Sequence, residues 1–346
     1  YAVGSRSVSL RAISIGIAGL GTVAQGVLTL LAENRSLIEQ RSGISVDVVR
    51  VASRSAKPDV DLHGADFSTD VMDLLSDSRI DLIVELIGGE TLARELIVGA
   101  LSNGKSVVTA NKAVIALYGN ELSRQALRFE AAVAGAIPII HALQQGLVAN
   151  QFTAVSGIIN GTCNYMLSAM EEEGVGFDEI LERAQTLGYA EADPTFDVDG
   201  IDAAHKLTIL MALAFGTEFE FAKVYVEGIR AITLTDISYA AELGYRIKHL
   251  GILRSNPDGI EARVHPTLVP HGELVAHVNG VLNAVQVVSD AAGKTLFSGP
   301  GAGGAATASA VVADIVGTAL NADQIVADPV ANMSKAILPV EQISSA

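Results

Sequence analysis

The chain has little that could staple it, anchor it or export it. One cysteine, Cys163, stands among 346 residues, which excludes an internal disulfide or a cysteine-rich zinc site and points to a reducing compartment. No spacing of histidine, cysteine and acidic residues suggests zinc either. Long apolar runs are missing: the longest, 131–140 and 207–216, fall short of the roughly 18–20 residues that cross a bilayer. No basic stretch followed by an apolar one opens the chain, so no secretion signal is read there. Basic side chains are scarce, 23 against 39 acidic ones, for a formal charge of −16. Such a balance repels phosphate, and neither nucleic acid nor an anionic membrane is an expected partner. With 49% hydrophobic and 18% charged residues, the chain is long enough for about two domains with sizeable cores. A soluble, cytoplasmic, globular protein is the expectation.

Residues 1–10 are mostly small or polar and begin without methionine; they read as a loose tail or a vector-derived remnant. From Arg11 the pattern changes. Ile13-Ser14-Ile15-Gly16-Ile17-Ala18 is a short apolar run that leads to glycines, and a helical pattern follows from Thr22 to about Ile38. Strand patterns at 44–52, 81–86 and 106–108, with a helical stretch at 91–101, predict a parallel sheet covered on both faces. After about Glu130 the rhythm breaks. A strand is expected at 152–159, helices at 160–173 and 177–186, and a glycine- and aspartate-rich loop at 188–200 that leads into a helix ending near Phe215. Strands at 249–254, 260–269 and 282–289 come next, the first two joined by the turn signal Asn256-Pro257-Asp258-Gly259. A glycine cluster at 299–304 precedes an Ala/Val-rich helix at 307–320. This half reads as α+β, and no repeat of 20–50 residues is present.

Gly19-Leu20-Gly21-Thr22-Val23-Ala24 follows a strand and opens a helix, the context that a dinucleotide fingerprint requires. Gly19 permits the tight turn and Gly21 the close approach of a pyrophosphate. Ala24 stands where the third glycine may be replaced, and Thr22 and Val23 begin the helix whose free N–H groups attract phosphate. A strand–turn–helix with merely structural glycines is the plainer reading. The end of the second strand reads Ala52-Ser53-Arg54-Ser55-Ala56-Lys57, with no acid to hold a ribose 2′-hydroxyl. Arg54 and Lys57 would welcome a 2′-phosphate, so NADP is favoured, with NAD possible; a solvated basic loop is the alternative. Lys112 ends Thr109-Ala110-Asn111-Lys112, directly after a strand, where a lysine can reach a ligand or simply cap a loop.

The most specific pattern is Ala184-x3-Gly188, Glu191, Asp193-Pro194, Asp197, Asp199, Gly200, Asp202 and Lys206. On a helix, Asp202 and Lys206 share one face one turn apart. The apolar residues that follow, Leu207 to Ala212, imply that the helix is buried, and a lysine there needs a partner or a task.

Together these residues resemble the homoserine dehydrogenase family across about 13–316. The resemblance includes Val84-Glu85-Leu86-Ile87-Gly88-Gly89, Asn160-Gly161-Thr162-Cys163-Asn164-Tyr165 and Gly299-Pro300-Gly301-Ala302-Gly303-Gly304. It implies an α/β fold: a Rossmann-type dinucleotide-binding domain (11–130 with a closing segment, 301–346) and an α+β substrate and dimerisation domain (131–300). It also implies the NAD(P)-dependent interconversion of L-homoserine and L-aspartate 4-semialdehyde, on the route to threonine, methionine and isoleucine, by a homodimer. Lys112 and Lys206 look like the lysines implicated in catalysis, with Asp202 beside Lys206. Glu191 and Asp197 look like substrate-holding groups, Glu191 nearest the ammonium, with Lys206 also touching substrate. Gly88, Thr109, Lys112 and Gly301 join Gly19, Gly21, Thr22, Val23, Arg54 and Lys57 as cofactor-binding candidates. A sodium ion would map to Glu130 and the carbonyls of Val133, Gly135 and Ile137. Members commonly continue into an ACT-type domain that senses threonine; the chain stops at Ala346, about where one would begin, so a catalytic core insensitive to threonine is expected.

Other features read as bland. The sequon at Asn160 occurs often by chance, Cys163 lacks an activating base and reads as a buried apolar side chain, and His205 reads as a hydrogen-bonded structural histidine. Two other functions compete: an NADP-dependent oxidoreductase of another small amino or hydroxy acid, and a non-catalytic NADP-binding sensor, against which the presence of both Lys112 and Lys206 speaks.

Overall fold

Short apolar runs, each stopped by glycine or a polar turn, become the strands of a computed structural model that describes residues 10–321 and 335–339. The opening tail, 1–9, and most of the closing segment lie outside the described residues. The strands are β1 (Arg11–Ala18), β2 (Ile44–Ala52), β3 (Asp66–Ser68), β4 (Leu82–Glu85), β5 (Ser106–Thr109), β6 (Leu127–Arg128), β7 (Phe152–Ile158), β8 (Tyr225–Val226), β9 (Tyr245–Asn256), β10 (Gly259–Pro270), β11 (Leu282–Ser289) and β12 (Gly293–Pro300). The helices are α1 (Thr22–Glu33), α2 (Arg35–Ser42), α3 (Asp73–Ser76), α4 (Thr91–Ser102), α5 (Lys112–Tyr118), α6 (Ile139–His141), α7 (Gly161–Glu173), α8 (Phe177–Thr186), α9 (Thr195–Val198), α10 (Ile201–Phe215), α11 (Leu234–Glu242) and α12 (Gly304–Leu320).

The first unit comprises 10–111, 121–131 and 303–321. Its sheet has the order β3-β2-β1-β4-β5-β6, and every pairing is parallel. That is the doubly wound arrangement, with its topological switch point between β1 and β4. Strands covered on both faces are near-continuous apolar runs, and Leu82, Ile83 and Val84 are fully buried, with Glu85, equally buried, the polar exception at the strand's end. Helices α1 and α12 meet at glycines: a Cβ on Gly26 would stand 2.7 Å from the Gly304 carbonyl oxygen. The helix expected over 22–38 is two helices, broken at Asn34. The second, Arg35–Ser42, buries no residue, and its Arg35 is held by Asp47 on β2 at 2.9 Å and by Glu39 at 3.2 Å. Those polar contacts tie it to β2.

The second unit comprises 112–120, 132–302 and 335–339. This unit includes α5 and 335–339, the latter through the parallel bridge of Ile337 with Ile260. Its sheet runs β12-β11-β7-β9-β10-β8, antiparallel except for β8 beside β10. The edge strand β12 escaped the sequence because its residues are mostly half-buried or exposed and show no apolar alternation. Helix α10 is the centre of this unit. It starts after Gly200 (φ 86°) and stops at Gly216 (φ 66°), both in the left-handed region that glycine occupies without strain. From Asp202 to Phe215 every residue but Lys206 is buried, so the helix is covered on all sides. No helix of the described residues is long and apolar enough to cross a membrane.

Candidate active site

A buried lysine must be neutralised or hydrogen-bonded to stay charged, and the second unit does both. Lys206, the one residue of α10 after its first that is partly open, donates to Asp202 Oδ2 at 2.7 Å and to the Ile159 carbonyl at 2.7 Å. Lys112 arrives from the start of α5, its Nζ 3.2 Å from Asp202 Oδ1 and 5.4 Å from the centre of the Phe196 ring. One carboxylate thus spans two ammonium groups that lie ninety-four positions apart in sequence (206 − 112). Asp202 itself sits in the first turn of α10, where the helix dipole favours negative charge. Burial works against that charge, but Lys206 and Lys112 outweigh burial and hold the carboxyl at about 2.

Asn160 completes the cluster, and sequence reasoning missed it as a site residue. Its Nδ2 donates to Asp202 Oδ2 at 2.8 Å and to Asp197 Oδ1 at 2.7 Å, while its Oδ1 accepts the Cys163 N–H at 2.7 Å as the N-cap of α7. An asparagine directly before a helical pattern is a legible capping signal, although capping alone does not reveal that the amide also bridges two aspartates. Burial raises the Asp197 carboxyl above its ordinary value, and Asp202 adds to the rise. Lys112, Lys206, Asp202 and Asp197 therefore converge. Glu191 does not: it lies exposed on the loop after α8, with no hydrogen bond or ion pair to the cluster.

Cys163 is fully buried, and burial with Asp197 nearby drives its thiol well above the ordinary value, which leaves it inert as a nucleophile. His205 departs from expectation. Its Nδ1 has no hydrogen-bond partner, and the ring packs between Phe196 and Phe221, at 5.4 and 4.5 Å. Burial, assisted by Lys112, pushes it down to about 4, so at neutral pH an uncharged imidazole fills an aromatic slot. No cluster of three or more histidine, cysteine or acidic side chains that could hold a metal occurs among the described residues.

The first unit presents a different chemistry. Gly19 has φ 104°, and a Cβ there would stand 2.6 Å from the Leu86 carbonyl oxygen; only glycine fits this turn. A Cβ on Gly21, Gly88 or Gly89 would meet nothing within 4 Å. Gly21 caps α1 without a side-chain hydrogen bond, so Thr22 and Val23 begin a helix whose leading N–H groups are available to an anion. Arg54 and Lys57 are exposed beyond the end of β2 and make no ion pair among the described residues. Thr109 is buried at the end of β5. These residues fit a dinucleotide: open space beside glycines, an uncapped helix N-terminus and free cations at the ribose end. Gly301 belongs to the second unit, where a Cβ would collide with Asn283 at 2.1 Å. Glu130 is buried in the first unit, and Val133, Gly135 and Ile137 are buried in the second.

Comparison with known proteins converges on one family. The model for the NAD-binding domain of homoserine dehydrogenase matches 19–135, and that for homoserine dehydrogenase matches 138–316. The chain is 49% identical to the homoserine dehydrogenase of Pseudomonas aeruginosa over 97% of its own length and 81% of the relative's. A crystal structure of the enzyme from Thiobacillus denitrificans superposes with a TM-score of 0.90 at 50% identity, covering 96% of this chain and 80% of that one. A hyperthermophilic archaeal homoserine dehydrogenase in complex with NADPH matches with a TM-score of 0.76 at 25% identity, covering 90% and 98%. The chain belongs to the homoserine dehydrogenase family, the NAD(P)-dependent oxidoreductases that interconvert L-homoserine and L-aspartate 4-semialdehyde.

Proposed function

We propose that, in this reaction, Lys206 holds and moves the proton at the substrate's terminal oxygen, with Asp202 orienting it and Lys112 adding a second positive charge. Hydride exchange at the carbonyl carbon is the chemistry that the nicotinamide, when bound, supplies. As an aldehyde is reduced its oxygen gains negative charge, and a fixed ammonium both stabilises that charge and delivers the proton. In the reverse direction the same nitrogen must take the proton from the alcohol. The observation that carries this reading is the single buried carboxylate at 2.7 and 3.2 Å from two lysines, which fixes both nitrogens before substrate arrives. Asp197, whose charge is made costly by burial and by Asp202, suits the substrate's α-ammonium, which would relieve both penalties; Glu191, exposed and unconnected to the cluster, is the alternative that the family resemblance supports.

Lys206→Met tests the assignment. It should lower turnover of homoserine by about a hundredfold or more while the affinity for NADPH, followed by nicotinamide fluorescence, stays near wild type. Turnover within twofold of wild type removes Lys206 from the proton path.

Exposed, unpaired Arg54 and Lys57 support a preference for NADP over NAD. A sodium ion held by Glu130 and the carbonyls of Val133, Gly135 and Ile137 rests on the family resemblance and on their being hard oxygen donors; sodium dependence of the rate decides it. A homodimer is supported by the exposed apolar side chains Tyr239, Leu243 and Leu268 around a groove of about 300 Å³ in the second unit, and light scattering on the purified chain tests it. A cytoplasmic setting is supported by the lone, buried thiol.

A further inference from the structure

Beside β1 in the first unit lies a buried carboxylate to which the proton chemistry above gives no role. Glu85 ends β4 with no exposed surface, in register with Ala18 of β1 and Thr109 of β5. One of its oxygens accepts the Ile87 N–H at 2.8 Å, and the other accepts the Thr109 hydroxyl. Thr109 Oγ1 in turn accepts the Asn111 N–H at 2.9 Å, and Asn111 Nδ2 donates to the Gly89 carbonyl at 2.8 Å. The chain of bonds starts in the turn after β4, passes through the end of β5 and returns to the turn after β4. In a doubly wound sheet, ligands occupy the crevice beyond the carboxyl ends of the strands at the switch point, one mononucleotide on each half of the sheet. The pyrophosphate turn follows β1, so the half built on β4 and β5 faces the nicotinamide.

We propose that Glu85 is a positioning residue for the cofactor, fixing the turns after β4 and β5 in the shape that receives the nicotinamide half. The proposal rests on the reading that the first unit carries the cofactor. The bonding is complete only when Glu85 is ionised: both oxygens then accept, and the Thr109 hydroxyl gives its proton to Glu85 while accepting from Asn111. A protonated carboxyl would donate to Thr109 Oγ1 instead, and the hydroxyl hydrogen would have to turn away inside a site where Thr109 has no exposed surface. Burial is the largest influence on the carboxyl and raises it to about 7 against its hydrogen bonds to Thr109, Ile87 and Asn111; no charged group contributes. The completed form therefore prevails above neutrality, and cofactor affinity should rise as pH increases through about 7.

Glu85→Gln, with Thr109→Val as a second variant, tests this by NADPH titration and steady-state kinetics between pH 6 and 9. The expected result is a roughly tenfold weaker cofactor affinity at pH 8 that no longer varies through neutrality. The KM for NADPH should rise much more than the KM for homoserine. Thr109→Val should weaken the cofactor in the same direction and move the pH midpoint upward, since the carboxylate loses a donor. Wild-type cofactor affinity and pH dependence in Glu85→Gln overturns the proposal; if that protein does not fold, the same result in Thr109→Val overturns it. An equal rise in both KM values accompanied by a lowered melting temperature also overturns it, since that describes a structural residue only. A wild-type chain that fails to bind NADPH refutes the underlying cofactor reading, and the Glu85 proposal with it.

Discussion

Replacing Asp202 by asparagine is the sharpest perturbation the structure offers, because shape is kept and only charge is lost. The carboxyl falls from its ordinary 3.8 to about 2 in the folded chain. At about 1.4 kcal/mol per unit, its charge contributes about 2 kcal/mol to stability. The sign follows from the direction: a depressed carboxyl stabilises above its unfolded value, near 4, and the contribution fades as pH falls through 2. Asparagine does more than delete that term. It leaves the Lys206 ammonium, whose side chain is 12% exposed, with neutral acceptors alone, an amide oxygen and the Ile159 carbonyl, and no countercharge. Removing one member of a buried pair costs about 3–5 kcal/mol; Lys112, at 30% exposure, can turn toward water, which favours the lower end. The melting temperature should therefore fall by several degrees at pH 7. Turnover should fall by about a hundredfold as Lys206 loses its orientation. Thermal scans combined with initial rates of nicotinamide reduction measure both. The stability gap between variant and wild type should hold from pH 8 down to about 4 and narrow below it. An asparagine variant that melts and turns over like wild type would show that the carboxylate neither holds nor orients the lysines.

Two further variants address the cofactor. Arg54→Ala with Lys57→Ala should raise the KM for NADP at least tenfold, since a charged hydrogen bond to phosphate is worth about 1.5–3 kcal/mol, and leave that for NAD within a factor of about two; equal losses for both would mean that the cations do not read the 2′-phosphate. Gly21→Ala should leave the melting temperature of the free chain almost unchanged, because its Cβ meets nothing within 4 Å, yet weaken dinucleotide binding by filling the space a pyrophosphate needs; unchanged NADPH affinity would place the phosphates elsewhere.

The nucleotide half was legible because its signals are local. A strand, a Gly-x-Gly turn and a helix N-terminus occupy consecutive residues, and an apolar run covered on both faces is hard to mistake. Boundaries failed where no glycine or proline marks them, as at Asn34, whose non-helical backbone ends one helix and starts another inside a continuous helical pattern. In the second half, the Asp202–Lys206 pair could be read from helical spacing, and its burial from the apolar residues behind it. Its connection to Lys112 could not, since no periodicity relates positions so far apart. Asn160 was hidden for another reason: its backbone role as a helix cap fully explains an asparagine there, so nothing in the pattern calls for a second role.

That double use has a physical consequence. The amide that caps α7 also donates to Asp197 and Asp202, so the N-terminus of one helix, the carboxylate of another and the candidate substrate-binding acid share a single planar group. An amide has no charge to lose with pH, and its donors and acceptor cannot exchange roles. With Oδ1 committed to the Cys163 N–H, Nδ2 must point both hydrogens at the aspartates. The two carboxylates are thereby held close together by a neutral amide; Lys206 and Lys112 satisfy Asp202 but offset only part of the burial and repulsion felt by Asp197, where an arriving ammonium would relieve the rest. Under the proposed assignment of Asp197 to the substrate's ammonium, selectivity for a substrate with an amine at one end and a reacting oxygen at the other would follow from that asymmetry: one aspartate already neutralised, its neighbour only partly so.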